Sequence, residues 1–210
     1  MRKLINVSDI NTFERFLMLL AGRVGLVINF SSLANEVGVT STTLTKWFSV
    51  LEASYIVFRL PCYFNNFGKR LIKAPKIYFV EPGLAANLLG ITDLSQVERD
   101  PLFGNLFENV VVVEALKARL NKGKRPELYY FRNNNGLEID LILNTNRIIR
   151  PFEIKSSMTW TSSFSNNLNK FLKFATNAEK PSVIYSGDIQ NEVNGIEYIN
   201  FHNIAKIFSN

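Results

Sequence analysis

Apolar positions recur at helical spacing from Asp9 to Leu20, where Phe13, Phe16, Leu17 and Leu20 form one stripe and Ser8 or Asp9 can cap the start. A shorter helix follows, carrying Leu33, Ala34 and Val37 after Ser31 or Ser32. Gly38 then supplies a left-handed turn, and Thr40 or Ser41 caps a third helix with Leu44, Trp47, Phe48 and Leu51 inward. The pattern then changes period. Residues 55 to 60 and 76 to 80 are β-branched and aromatic, with Asn65, Asn66 and Gly68 as turn residues between them. Two strands after helix-turn-helix spacing predict a winged helix, whose wing tip and return strand carry the residues from 69 to 76.

Gly90, Asp93 and Asp100-Pro101 read as a link, and the boundary is placed near residue 98, giving domains 1–98 and 99–210. Beyond it the pattern predicts a long helix from Phe103 to Leu120 and strands at Leu128–Arg132, Leu137–Leu143 and Ile148–Lys155. A helix around Ser165–Ala175, strands at Val183–Tyr185 and Ile196–Ile199, and a terminal helix through Ile207 complete it. The expected fold class is α/β (α+β overall), with a central mixed sheet flanked by helices in the second half.

Composition narrows the function classes. With 47% hydrophobic and 20% charged residues, the chain is neither disordered nor fibrous. The single cysteine, Cys62, excludes an internal disulfide, and no Cys/His spacing fits zinc; a reducing cytoplasm is expected. No apolar run approaches the roughly 18 residues of a membrane span and no signal-peptide pattern opens the chain, so no membrane partner is expected. There is also no P-loop pattern, so no ATPase activity is expected of these residues alone.

The net charge of +6 and pI near 9.4 permit a nucleic-acid partner without requiring one. Ten basic against seven acidic residues before the boundary, and fourteen against eleven after it, leave +3 on each side. The excess is local: Lys69, Arg70, Lys73 and Lys76 form an acid-free run, and Lys122, Lys124 and Arg125 a second cluster. With Thr42, Thr43 and Lys46 on the third helix, the first run is the expected DNA-contacting surface. Docking on protein is the alternative use of the same surface. Lys170 and Lys173, three apart on the late helix, offer further charge for phosphates, and a solvated helix face explains them equally.

The chemistry-bearing pattern lies in two adjacent strands. Alternation puts Glu138 and Asp140 on one face of the first and Glu153 and Lys155 on one face of the second. If Asn144–Arg147 closes the hairpin, Leu143 pairs with Ile148, Glu138 faces Glu153 and Asp140 faces Pro151. Carboxylates about 5 Å apart repel by up to about 4 kcal/mol at surface-like dielectric, so a cation is expected among them. Lys155 is one, and Mg²⁺ (or Mn²⁺), held by one or two carboxylates with waters and substrate phosphate, is the other. Glu108 shares a helix stripe with Val111, Val112 and Ala115, where a carboxylate is costly unless it too meets a cation.

The order Glu108, Asp140, Glu153-Ile154-Lys155 resembles the PD-(D/E)XK nuclease superfamily. Almost the whole chain resembles the C-terminal half of a bacterial family of AAA+-type ATP-binding proteins, in which a winged helix and a nuclease-like domain follow the ATPase. Lys69-Arg70-Leu71, Pro75-Lys76-Ile77-Tyr78-Phe79, Gly104-Asn105-Leu106-Phe107-Glu108-Asn109, Tyr129-Tyr130-Phe131-Arg132 and Glu138-Ile139-Asp140 carry the likeness. The resemblance implies that Glu108, Asp140 and Glu153 are metal ligands, that Lys155 orients water or stabilises the transition state, and that Glu138 supports them. It further implies DNA as substrate and an ATPase domain or subunit as partner. The chain departs from the family in lacking the ATPase half and in having Glu81-Pro82-Gly83-Leu84 where an Asp-Thr-Gly-Leu-like stretch is usual. Two other readings stay open: a non-catalytic interaction module on a nuclease scaffold, and a winged-helix transcription regulator.

Overall fold

The computed structural model describes residues 10–63 and 74–209. The chain is mixed α/β, and its described residues divide into two compact units, 10–59 with 74–109, and 60–63 with 110–209. The division of packing falls after Asn109, inside a helix. A continuous helix shows no break in composition where its packing partners change.

In the first unit, α1 (Ile10–Ala21), α2 (Phe30–Val37) and α3 (Ser41–Ala53) bury the expected stripes, with Phe16, Leu20, Leu33, Leu44, Phe48 and Leu51 out of solvent. Trp47 meets Phe13 edge-on, ring centroids 5.3 Å apart, so it serves as core. Asn29, not Ser31 or Ser32, caps α2 by accepting the Ser32 N–H, and the two serines lie inside the helix; Thr40 caps α3 by accepting the N–H of Thr43. Between α2 and α3, Gly38 at φ 85° closes the turn that the sequence marks. Strands β1 (Val57–Leu60) and β2 (Lys76–Phe79) pair, and residues 25–28 run along β2 through the Gly25 N–H to Ile77 carbonyl bond of 2.8 Å.

The expected link instead holds two short helices, α4 (Pro82–Leu88) and α5 (Leu94–Arg99). Their signals are local: Pro82 opens the first turn of α4, and Asp93 caps α5. Helix α6 (Phe103–Asn121) then passes from the first unit into the second.

The second unit is built on a six-stranded sheet of β3 (Leu128–Arg132), β4 (Glu138–Thr145), β5 (Ile148–Lys155), β6 (Ser182–Tyr185), β7 (Asn191–Val193) and β8 (Ile196–Asn200). Its order is β3-β4-β5-β6-β8-β7: β3, β4 and β5 are antiparallel, β5, β6 and β8 parallel, and β7 an antiparallel edge. Helix α7 (Asn166–Leu172) covers one face, packing Leu168 and Phe171 into a core with Ile142, Ile149, Val183 and Tyr198. The terminal α8 (Ile204–Phe208) takes the other. Phe152 and Glu153 are strand neighbours and point to opposite faces; Phe152 meets Phe208 at 4.9 Å while Glu153 meets Asn167.

The β4–β5 hairpin is tighter than expected. Thr145 pairs with Ile148, so the turn is only Asn146-Arg147, both at positive φ (54° and 68°), as a two-residue type I′ turn requires. Asn177 donates to the Arg147 carbonyl at 2.7 Å and holds this conformation. The register moves by two residues, pairing Leu141 with Phe152. Continued one step, it sets Asp140, not Glu138, across from Glu153. A shift of two preserves the faces, so the carboxylate face survives while its pairs change.

Candidate functional site

Glu153, on β5 with β4 and β6 on either side, is 2% exposed. Its Oε1 accepts from Lys155 Nζ at 2.9 Å and from Asn167 Nδ2 at 3.1 Å. Its Oε2 is buried and has no hydrogen-bond partner among the described residues. Burial, reinforced by the charge of Asp140, pushes the Glu153 carboxyl up to about 8 despite the opposing pull of Lys155 and Asn167. At neutral pH this acid carries its proton for much of the time.

Asp140 is half-buried on β4 and accepts the backbone N–H of Ile154 through Oδ2 at 2.8 Å, tying its carboxylate to β5 beside Glu153. Glu138 faces Arg132 on β3, with 3.2 Å between Oε2 and Nη1. Lys155 is about one-third exposed, so its ammonium reaches both Glu153 and solvent.

This donor set suits a hard divalent cation. It offers carboxylate oxygens only, one of them an unpartnered buried oxygen next to a second carboxylate, and Mg²⁺ requires no more than one or two protein carboxylates. Among the described residues, no group of three or more His, Cys, Asp or Glu side chains gathers as a metal cluster. The carboxylate whose charge bears on Glu153 is that of Asp140.

Glu108 has a different engagement. Its Oε1 accepts from Lys76 Nζ at 2.9 Å and from the Tyr78 hydroxyl at 2.5 Å, all within the first unit. The cation that its apolar stripe demanded is therefore Lys76, which is 2% exposed. This corrects the expectation that Lys76 contacts DNA, since a buried ammonium presents nothing to a phosphate. Gly25, at φ 72°, passes against the same carboxylate; a Cβ there would stand 3.6 Å from it in a conformation that favours glycine. Replacing Lys76 by Met is expected to cost about 2 kcal/mol in urea unfolding, because Glu108 loses a charged partner. The double variant Lys76→Met/Glu108→Met should recover most of that loss.

Of the other expected contacts, Thr42 and Lys46 are exposed on α3, whereas Thr43 is half-buried with its hydroxyl bonded to that of Thr40 at 2.9 Å. Lys69, Arg70 and Lys73 lie outside the described residues. Lys170 and Lys173 are exposed and line a cleft of the second unit. Sequence reasoning missed Asn167 and Tyr78. Asn167 lies three residues before Lys170 on the same helix stripe, the one signal that marked it; Tyr78 is an ordinary strand aromatic in the sequence.

Comparison with known proteins agrees with a two-part chain. A domain of unknown function (DUF8612) matches residues 1–95, and another (DUF4143) matches residues 103–204. The chain is 32% identical over 177 residues to uncharacterized protein Rv2008c of Mycobacterium tuberculosis, and to the same extent to uncharacterized protein Mb2031c of Mycobacterium bovis. Each alignment covers 84% of this chain but only 38% of the relative. No solved structure matches. Among the described residues no helix is long and apolar enough to cross a membrane.

Proposed function

We propose that the second unit is a divalent-metal-dependent, nuclease-like module of the PD-(D/E)XK kind that hydrolyses phosphodiester bonds, attached through a winged-helix DNA-binding domain to the logic of an AAA+-type ATPase. The observation that carries the reading is the buried Glu153 carboxyl with one orphaned oxygen, set beside Asp140 and Lys155 on one face of the sheet.

Asp140 and Glu153 would hold Mg²⁺ or Mn²⁺, which when bound polarises a phosphoryl oxygen and makes water a stronger nucleophile. The chain's own groups divide the remaining work. Asp140 is held in place by the Ile154 N–H, so its charge is fixed before substrate arrives. Lys155 has the reach to stabilise negative charge developing on a phosphoryl oxygen, or to orient the attacking water. Asn167 steadies Glu153 from α7, and the Glu138–Arg132 pair flanks the face. Glu108 enters this reading only through the family resemblance, since Lys76 and Tyr78 are the partners it engages. Thr42 and Lys46 remain the α3 groups available to a duplex.

The test is incubation of the chain with linear duplex, single-stranded and branched DNA in Mg²⁺, Mn²⁺ or EDTA. Cleavage that requires the metal is the expected result. Absence of cleavage by folded protein, together with no metal binding in calorimetry, would instead favour the interaction-module reading.

A further inference from the structure

The face of the second unit that bears Glu153 continues into a cleft between the β3–β4 turn and α7. Its polar lining consists of Asn133, Asn135, Asn167, Lys170 and Lys173, with Phe174 contributing an apolar wall. Among the described residues no carboxylate lines it. Neither Lys170 nor Lys173 has an ion-pair or hydrogen-bond partner among the described residues, and both are exposed.

Lys170, in the last turn of α7, and Lys173, at its C-cap, line the same cleft, and two such ammonium groups repel mildly unless an anion joins them. The opposite wall is organised. Asn133, 4% exposed, accepts the backbone N–H groups of Asn135 and Leu137 through Oδ1, both at 3.0 Å, and this fixes the turn that presents Asn135. Asn167 belongs to both places: it lines the cleft and donates to Glu153 Oε1.

We infer that this cleft seats a backbone phosphate of a nucleic-acid strand, with Lys170 and Lys173 supplying charge and the asparagine amides supplying directed donors. The seat is one side chain away from Glu153, and a phosphate there positions the strand's neighbouring phosphodiester over the carboxylate face. The inference rests on the nuclease reading for that last step only. The amide donors distinguish the site from a bare charged patch, because they reward phosphate oxygens at fixed positions.

Binding of the full chain to a fluorescent single-stranded oligonucleotide, measured in EDTA over a salt series, separates the two readings. The double variant Lys170→Ala/Lys173→Ala should bind at least about tenfold more weakly, with a log–log salt slope shallower by roughly 1.4, about 0.7 for each lost phosphate contact. Lys170→Arg/Lys173→Arg should retain wild-type affinity, and circular dichroism should show both variants folded, as their sites are exposed. An uncharged methylphosphonate strand should bind the wild type no better than the double alanine variant binds phosphodiester. Unchanged affinity and slope in the double alanine variant would overturn the assignment. So would equal binding of a poly-glutamate peptide, or displacement of the strand by an equal concentration of inorganic phosphate. Loss of metal-dependent cleavage with the metal-free binding pattern intact would count against the nuclease reading alone.

Discussion

Asp140→Asn is expected to lower metal-dependent cleavage by about 10²–10³-fold while leaving the fold in place. Asparagine keeps an oxygen for the Ile154 N–H, which Asp140 now engages at 2.8 Å, so the β4–β5 tie survives and only the negative charge is lost. Asp140→Ala should lower cleavage at least as far but also leave the Ile154 N–H without that acceptor, at a further cost of about 1 kcal/mol in stability. Comparing the two separates chemistry from structure. Calorimetry supplies the second readout: Mg²⁺ or Mn²⁺ affinity should fall in both variants, since the proposed site would lose one of its two carboxylates. Full activity in Asp140→Asn would remove Asp140 from the site.

The second large effect is on stability. In the metal-free protein, stability should decline as pH rises from about 5 to 9, with a Glu153 contribution of about 3 to 5 kcal/mol. The direction follows from proton binding. An unfolded glutamate titrates near 4.5, whereas the buried Glu153 titrates near 8, so between these values the folded chain holds the extra proton. The stabilisation is complete below the unfolded value and is lost as pH passes through the folded one. Thermal melts in EDTA across this range should show the decline, and Glu153→Gln, which is neutral throughout, should flatten it. Asp140→Asn should move the decline to lower pH, because the neighbouring charge is one of the causes of the shift. Added Mg²⁺ should stabilise more as pH rises, since a cation binds the ionised carboxylate. A melt profile for wild type as flat as that of Glu153→Gln would show that Glu153 is ionised in the folded chain.

Much of this site is legible in the sequence, and the illegible parts have definite physical causes. The period-two pattern of β4 and β5 predicts a shared carboxylate face, and a hairpin register that differs by two residues leaves that face unchanged. Any even slip preserves a face, so alternation is insensitive to the error that changes every cross-strand pair. Turn length decided those pairs. It depended on Asn146 and Arg147 both adopting positive φ with Asn177 bonded to the carbonyl between them and β5, which no local pattern announces.

The sequence by itself determined the helix and strand periods, the cap at Thr40, the burial of the apolar stripes and the common face of Asp140, Glu153 and Lys155. These are properties of residues a few positions apart. Only the tertiary structure decided which cation Glu108 meets, because Lys76 stands 32 positions away. It also decided that Lys76 is core, that Glu153 is desolvated enough to hold its proton, and that Asn167 joins Glu153 to the lysine-lined cleft. Desolvation and pairing depend on what the rest of the chain packs around a group, so the same Glu-x-Lys can be a wet surface pair or, as here, a buried acid with one oxygen left over.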